Sequence, residues 1–228
     1  MRRFALSLIS LILGLATMPA FADVSALKVD NGMHVKIICG KRIQLSVKGR
    51  GSQNVRAAIN GASLELSYAK PLFGKQTGDE VNVRLTLGQP LQSVLLDDGV
   101  SALIPACALD PTSASLTLFH QAKALVYSNS KSLIITMDSG AEAHVRGQVG
   151  NLALSMSGNS IFNSLTNRLA VDNANVTVSQ NSQANLCAAQ QVLGTSSYGG
   201  KVNVNPNAMV KVDVSNGGQL IRNYCSAK

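Results

Sequence analysis

Catalytic chemistry in this chain would have to come from a few scattered histidine, aspartate and serine side chains. His120, Asp138 and Ser157 follow successive apolar stretches and could in principle supply a base, an orienting acid and a nucleophile. Their positions before the small residue that ends each stretch differ by one, and neighbouring strand positions point to opposite faces. The sequence therefore assigns no catalytic residue.

Three aspartates offer a second kind of chemistry. Asp97, Asp138 and Asp172 occupy similar places in short motifs, and two converging carboxylates could act on a glycoside or hold a cation or a sugar. Aspartates are also typical of solvated turns, which is the interpretation we adopt. The three histidines lack metal-ligand spacing, and no phosphate-binding loop is present, so we predict neither a metal nor a cofactor.

The elements that carry these side chains are short strands. Leu116-Thr117-Leu118 and Leu152-Ala153-Leu154 are typical of strands, and several such stretches alternate apolar and polar residues. A polar residue followed by a small one recurs after the strands, because a turn there needs residues that tolerate a positive φ. Five consecutive turns are predicted near Gly99, Ala122, Gly140, Gly158 and Ala174.

The distances between these small residues predict the architecture. They lie 23, 18, 18 and 16 positions apart, which is too short for a repeat that contains helices but suits a coil of short strands. We therefore predict an all-β fold, a β-helix or solenoid-like stack of short strands with irregular loops. Polar turn residues of successive coils should form a ladder with a spacing of about 4.8 Å. Its expected members are Asp98, Gln121, Ser139, Ser157 and Asn173.

The less regular segments are predicted as follows. Two further turns, at 207–208 and 215–218, extend the repeat towards the C-terminus. Residues 70–78 contain Pro and Gly and should form a loop, and 103–112 should form a loop or an excursion from a coil. Residues 184–193 could form one helical turn or a loop.

The first 22 residues have the features of a signal peptide. A basic start, an apolar run from Phe4 to Ala16 and the small residues Ala20 and Ala22 predict cleavage after Ala22 and a periplasmic or extracellular location. No later run is long and apolar enough to predict a transmembrane segment in the cleaved protein. The remaining 228 − 22 = 206 residues suit a single domain at 23–228.

Positive charge is concentrated in the N-terminal part. The formal charge is +8, and removing Arg2 and Arg3 leaves 18 basic against 12 acidic side chains. We separate a basic strand region at 23–84 from nearly neutral repeat coils at 85–228. A convex basic surface could bind a polyanionic glycan or lipopolysaccharide of the envelope. The candidate residues for polyanion binding are Lys28, Lys36, Lys41, Arg42, Lys48, Arg50 and Arg56.

Nucleic acid is not an expected partner, because no aromatic residues interleave the basic ones and export separates the protein from cytosolic nucleic acid. Another protein remains an alternative partner.

Four cysteines, Cys39, Cys107, Cys187 and Cys225, form an even set that predicts two structural disulfides in an oxidising compartment. Sequence alone leaves three connectivities open. A bond between Cys187 and Cys225 would tie the C-terminal end to the stack and would leave Cys39 to pair with Cys107.

The repeated unit resembles a known family. Alternating apolar residues followed by a polar and a small residue, after the start Val29-Asp30-Asn31-Gly32, are similar to the head GIN domains of autotransporter adhesins over residues 24–223. Family members commonly repeat Ser-Gly at their turns, whereas this chain has it only at 139–140 and 157–158. The resemblance implies an exported β-helical module without established catalytic residues.

These observations predict a non-catalytic, adhesin-like binding module of the envelope or cell surface. The alternatives are a polysaccharide-active β-helical enzyme and a purely structural envelope protein. An acidic cleft at Asp97, Asp138 and Asp172 would favour the enzyme.

Overall fold

The computed structural model describes residues 24–69, 81–163 and 169–223. The predicted signal peptide and the predicted loop at 70–78 lie outside the described residues. In these described ranges, the 3-10 turns Ser52–Asn54 and Ala106–Ala108 interrupt the series of strands. The strands are β1 Ala26–Val29, β2 His34–Cys39, β3 Gln44–Lys48, β4 Val55–Asn60, β5 Ser63–Tyr68, β6 Asn82–Leu87, β7 Ser93–Leu96, β8 Ser101–Ile104, β9 Ser113–Leu118, β10 Lys123–Met137, β11 Glu142–Met156, β12 Ile161–Asn163, β13 Leu169–Val178, β14 Gln183–Leu186, β15 Ala188–Ser196, β16 Lys201–Val204, β17 Met209–Val214 and β18 Gln219–Arg222.

The strands stack in parallel into a β-solenoid, which confirms the predicted fold class. In each coil one strand leads into a tight turn and another follows it, so the stack has a pre-turn sheet and a post-turn sheet. The pre-turn sheet runs in the order β5, β1, β7, β9, 132–137 of β10, 151–156 of β11, 173–178 of β13, 191–196 of β15 and β17. The post-turn sheet runs in the order β6, β2, β8, 123–126 of β10, 142–145 of β11, β12, β14, β16 and β18.

The tight turns have the backbone conformation that their composition predicts. In the described residues, pairs of successive residues with positive φ occur at 31–32, 98–99, 120–121, 139–140, 158–159, 180–181, 198–199 and 216–217. Neighbouring turns are also hydrogen-bonded: the Gly32 N–H donates to the Asp98 carbonyl at 2.7 Å, and the Gly99 N–H donates to the His120 carbonyl at 2.9 Å. The turns predicted near Gly99, Ala122, Gly140, Gly158 and at 215–218 are therefore confirmed.

The turn predicted near Ala174 is wrong. Ala174 lies in β13, is 2% exposed, and is in register with Leu152 and Val192 in an inward-facing row. The preceding residues, Asp172 and Asn173, are both exposed at a corner where β13 changes face, so their polarity imitates that of a turn. The actual turns, at 180–181 and 198–199, were missed. The segment 184–193 is strand except at Cys187, which separates β14 from β15, and it contains no helical turn.

The predicted ladder of turn residues is also wrong, because its five residues do not occupy equivalent positions in their coils. Asp98 and Ser139 are first residues of their turns, but Gln121 is a second residue, Ser157 precedes its turn, and Asn173 lies within β13. A polar ladder does exist on the strands. The Asn173 side-chain amide donates to the Asn151 Oδ1 at 3.2 Å, and Gln191 follows in register.

Inward-facing side chains of successive coils form a continuous apolar core. Leu116, Ile135, Leu154 and Val176 stack in one row of the pre-turn sheet and are buried. In the post-turn sheet the fully buried Phe162 is in register with two small residues, Ala143 and Ala184. Each coil therefore buries part of its apolar surface against the neighbouring coils.

The N-terminal coils do not stack in chain order. The β1–β2 coil lies between the β5–β6 coil and the β7–β8 coil. The segment between β2 and β5 forms two antiparallel strands, with β3 paired to β6 and β4 paired to β5, and these cover the N-terminal end of the stack. The predicted excursion over 103–112 begins after Ile104, and Cys107 within it is disulfide-bonded to Cys39.

The Cys39–Cys107 bond confirms one of the pairings considered from sequence. Cys187 is also disulfide-bonded, and its expected partner, Cys225, lies outside the described residues.

Candidate binding groove

A groove of about 720 Å³ crosses the outer side of the post-turn sheet near its N-terminal end. Strands β3, β6, β2, β8, β10 and β11 run side by side beneath it. Because side chains alternate between the two faces of a strand, every second residue of these strands points into the groove. Register then aligns these residues into two rows that run across the strands.

The first row carries Lys48, Asn82, His34, Ser101, Lys123 and Glu142. The second row carries Ser46, Arg84, Lys36, Leu103, Leu125 and His144. Leu103 and Leu125 are half-buried and give the middle of the groove an apolar floor. The groove therefore combines polar and charged side chains with a short apolar strip.

Among the described residues, four cations line this groove. Lys36, Lys48, Arg84 and Lys123 are exposed, and no acidic side chain in 24–69, 81–163 or 169–223 forms an ion pair with the first three. Lys36 and Arg84 are adjacent because β2 and β6 pair in parallel. Their positive charges are thus held close together by backbone register, without a carboxylate between them.

The only acidic residue in the described lining, Glu142, is already paired. Its Oε1 accepts a hydrogen bond from His144 Nε2 at 2.8 Å, and its Oε2 lies 3.5 Å from Lys123 Nζ. The hydrogen bond from His144 lowers the pKa of the Glu142 carboxyl, and the positive charge of Lys123 acts in the same direction. The carboxylate therefore stays ionised and is locally neutralised, so the rest of the groove has an excess of positive charge.

The structure places only some of the basic residues predicted from the sequence in the groove. Only Lys36 and Lys48 line the groove. Lys28 lies on the pre-turn sheet in register with Glu65, and Arg56 lies on β4. The other three, Lys41, Arg42 and Arg50, are exposed outside the strands.

Arg84 and Lys123 were missed as members of the site. Arg84 belongs to the alternating segment Asn82-Val83-Arg84-Leu85, and Lys123 begins the alternating segment Lys123-Ala124-Leu125. In each segment the alternation predicts that the cation faces outward. What sequence did not show is that β6 and β10 flank β2 and β8. The basic surface is also concave at this point, not convex.

The residues considered for catalysis are not assembled into a triad. Asp138 Oδ1 accepts a hydrogen bond from Ser157 Oγ at 2.8 Å, but His120 Nδ1 is paired with Asp97 Oδ1 at 2.7 Å. Ser157 therefore has a carboxylate partner and no histidine.

Asp172 does not join the other aspartates either, because it lies at the corner of β13 and accepts a hydrogen bond from Gln190 at 3.2 Å. The expected column of three carboxylates is wrong. Within the described residues, no three His, Cys, Asp or Glu side chains are grouped so that they could hold a metal ion. The part of the chain that the structure describes has no helix with the length and apolarity to cross a membrane.

A family model described as "Putative auto-transporter adhesin, head GIN domain" matches residues 23–208 of the chain. The chain belongs to the head GIN domain family. This match confirms the resemblance found in the sequence. Among proteins with curated descriptions, none shows significant similarity to this head GIN domain protein.

Solved structures share the fold of this head GIN domain at low sequence identity. A "putative adhesin" from Bacteroides fragilis superposes with a TM-score of 0.72 and 10% identity, covering 90% of this chain and 94% of the other. A "putative adhesin" from Parabacteroides distasonis gives a TM-score of 0.64, 13% identity and coverages of 90% and 94%. A "putative lipid binding protein" from the same species gives 0.66, 11% identity, 89% and 93%.

Proposed function

We propose that this head GIN domain is an exported, non-catalytic binding module that holds an anionic glycan of the cell envelope in the groove on its post-turn sheet. The observation that carries the proposal is the charge of the groove: four cations face one carboxylate, and that carboxylate is paired with Lys123 and His144. A phosphorylated or uronic-acid glycan supplies the opposite charge.

The dimensions of the groove suit an extended chain. It crosses six strands, and strands lie about 4.8 Å apart, so its length is roughly 24 Å. Lys48 and Lys123 lie in one row near opposite ends, and Lys36 and Arg84 lie in the other. Successive charged groups of a linear glycan can therefore meet successive cations, and Leu103 and Leu125 offer an apolar surface to the sugar rings between them.

Export is supported by the signal-peptide pattern of residues 1–22 and by membership of an adhesin family. The absence of a catalytic role is supported by the pairing of His120 with Asp97, while Ser157 is hydrogen-bonded to Asp138. Adhesion to a polymer needs neither a nucleophile nor a general acid. The arrangement of exposed cations on a rigid sheet is sufficient for it.

An anionic lipid headgroup is the second candidate ligand, because the strip formed by Leu103 and Leu125 is apolar and a relative in fold is described as lipid-binding. A lipid phosphate and a glycan phosphate share the chemistry that the cations recognise. The two ligands differ in the part that would contact the apolar strip.

Binding of the purified protein to lipopolysaccharide, to its delipidated polysaccharide and to neutral dextran tests the proposal. We expect the double variant Lys36→Gln with Arg84→Gln to bind either charged ligand roughly 5- to 30-fold more weakly, because two surface contacts of roughly 0.5 to 1 kcal/mol each are lost. Lys201→Gln removes an exposed charge on the same sheet outside the groove and should bind normally.

Binding to both charged ligands should weaken as the salt concentration rises, because exposed charges are screened. Binding of lipopolysaccharide but not of its polysaccharide would assign the groove to the lipid. Equal affinity of the double variant and the parent, or salt-independent binding, would overturn the anionic-ligand proposal. Cleavage of the polysaccharide would overturn the non-catalytic assignment.

A further inference from the structure

The two ends of the solenoid differ in how their last strands are paired. At the N-terminal end, β3 and β4 pair antiparallel with β6 and β5 and cover the first coil. At the other end, β17 pairs with β15 and β18 pairs with β16. Within the described residues, no other strand lies on the outer side of β17, and its far edge is open there.

The direction of the backbone groups on β17 follows from one hydrogen bond. The Ser215 N–H donates to the Ser196 carbonyl at 3.0 Å, towards the interior of the stack. Because backbone groups of a strand alternate in direction with a period of two, those of Met209, Lys211 and Asp213 also face β15. The N–H and C=O groups of Val210, Val212 and Val214 consequently face the open edge.

The side chains of β17 leave apolar surface at this edge. Val210 and Val212 are only partly buried against the core, and Val214 is 48% exposed although the equivalent Val178 is fully buried two coils earlier. An open edge with unpaired backbone groups and exposed valines is a template for pairing with a further strand.

We propose that this edge pairs with the same edge of a second copy, with the two β17 strands antiparallel and a two-fold axis passing through Val212. Val212 then faces Val212 of the second copy, and their edge-directed N–H and C=O groups form a hydrogen-bonded pair. Lys211 faces Asp213 of the second copy, and Asp213 faces its Lys211. Val210 faces Val214 in the same way, so the strand is self-complementary in charge, shape and hydrogen bonding.

Charge selects this register over its neighbours. A two-fold axis through position 211 would place the two lysines opposite each other, and one through position 213 would place the two aspartates opposite each other. Opposed like charges destabilise a strand pair and opposed unlike charges stabilise it. An axis between two residues would bring an outward side chain opposite an inward one, which the alternation of the sheet forbids.

The test is the oligomeric state of the purified protein, measured by sedimentation equilibrium over a wide concentration range. The parent protein should form a dimer. Lys211→Glu places Glu opposite Asp213 in two symmetric pairs and should raise the dimer dissociation constant at least about tenfold. The double variant Lys211→Asp with Asp213→Lys restores opposite charges across the axis and should restore the dimer.

Lys201→Glu, on the exposed face of β16, makes the same charge change away from the edge and should leave the dimer intact. A monomeric parent protein, or a Lys211→Glu variant that dimerises as the parent does, would overturn the proposal. A double charge-swap variant that folds but remains monomeric would overturn the proposed register and the two-fold pairing with it. Thermal unfolding checks that each variant is folded.

Discussion

At the scale of single residues, two aspartates have the same structural role in two different coils. Asp97 Oδ1 accepts the Asp98 N–H at 2.8 Å, and Asp138 Oδ1 accepts the Ser139 N–H at 2.7 Å, so each stabilises the tight turn that follows it. Each also reaches the next coil, Asp97 through His120 and Asp138 through Ser157. The side chains that sequence offered as catalytic candidates therefore hold neighbouring turns together.

The Asp97–His120 pair makes the stability of the protein dependent on pH. The hydrogen bond that His120 donates to Asp97, together with the negative charge of that carboxylate, raises the pKa of His120 above the ordinary histidine value. A raised pKa in the folded state stabilises the fold below the unfolded-state pKa, and this contribution is lost as the pH rises through the folded-state pKa. We expect Asp97→Asn to lower the pKa of His120, as measured by an NMR titration of the imidazole.

The same substitution should lower the melting temperature more at about pH 5 than at about pH 9, since only the protonated imidazole gains from the carboxylate. Asp98→Asn is the matched control, because Asp98 raises the pKa of His120 less than Asp97 does. A loss of stability that is the same at both pH values would contradict the assigned role.

At the scale of elements, close parallel stacking restricts what a strand can carry. Gly194 lies within β15 with φ +135°, and a Cβ at this position would fall inside contact distance of the Val176 carbonyl on β13. Gly61, between β4 and β5, also has a positive φ of +60°, but no atom lies within 4 Å of a Cβ built there. A comparison of the two positions therefore distinguishes the energetic cost of a positive φ from the cost of a clash with a stacked strand.

Alanine substitution at these positions should have unequal effects. Gly61→Ala should cost about 1 to 2 kcal/mol through backbone strain alone. Gly194→Ala adds a clash with a backbone atom that cannot move without displacing β13, so we expect a cost above about 3 kcal/mol. Denaturant unfolding of both variants measures the difference. Equal costs would show that stacking does not restrict position 194.

At the scale of the whole molecule, the covered N-terminal end is tied to the stack by a covalent bond. The Cys39–Cys107 disulfide joins β2 to the excursion after β8 and closes a loop with a sequence separation of 68. We expect the double variant Cys39→Ser with Cys107→Ser to lose about 4 kcal/mol of unfolding free energy, since a loop of this length is no longer constrained in the unfolded chain. Unfolding in guanidinium chloride without reductant measures the loss. A change well below this value would mean that the N-terminal coils hold without the bond.

The proposed binding groove and the proposed dimer together determine how the whole molecule would bind a surface. The groove lies near the covered end and the self-complementary strand at the opposite end, so a dimer formed through β17 carries two grooves far apart. We expect Lys211→Glu to leave binding of a short soluble glycan unchanged and to weaken binding to a densely coated surface about tenfold or more, because avidity is lost. Equal binding of the variant and the parent to such a surface would contradict a bivalent assembly.

Local patterns determined much of the fold. Alternation in segments such as Leu116-Thr117-Leu118 indicated which side chains face the core, and polar and small residues located the turns at 98–99, 139–140 and 216–217. These features depend on the period of two of a strand and on the few residues that adopt positive φ, so they can be read without knowing any neighbour. The same local reasoning failed at Ala174, where a corner of β13 has the polarity of a turn but not its backbone.

The tertiary structure decided which strands are neighbours. The insertion of the β1–β2 coil between the β5–β6 and β7–β8 coils places Lys36 beside Arg84, 48 positions away in the sequence, and brings Lys123 into the same groove. Nothing in the alternation of β2 or β6 specifies that pairing, because any two apolar strand faces can stack and the preferred order depends on the packing of the complete core. The sequence by itself determined that this protein is a basic stack of short strands. Only the order of stacking, which the tertiary structure decides, brings cations from distant parts of the chain into one groove.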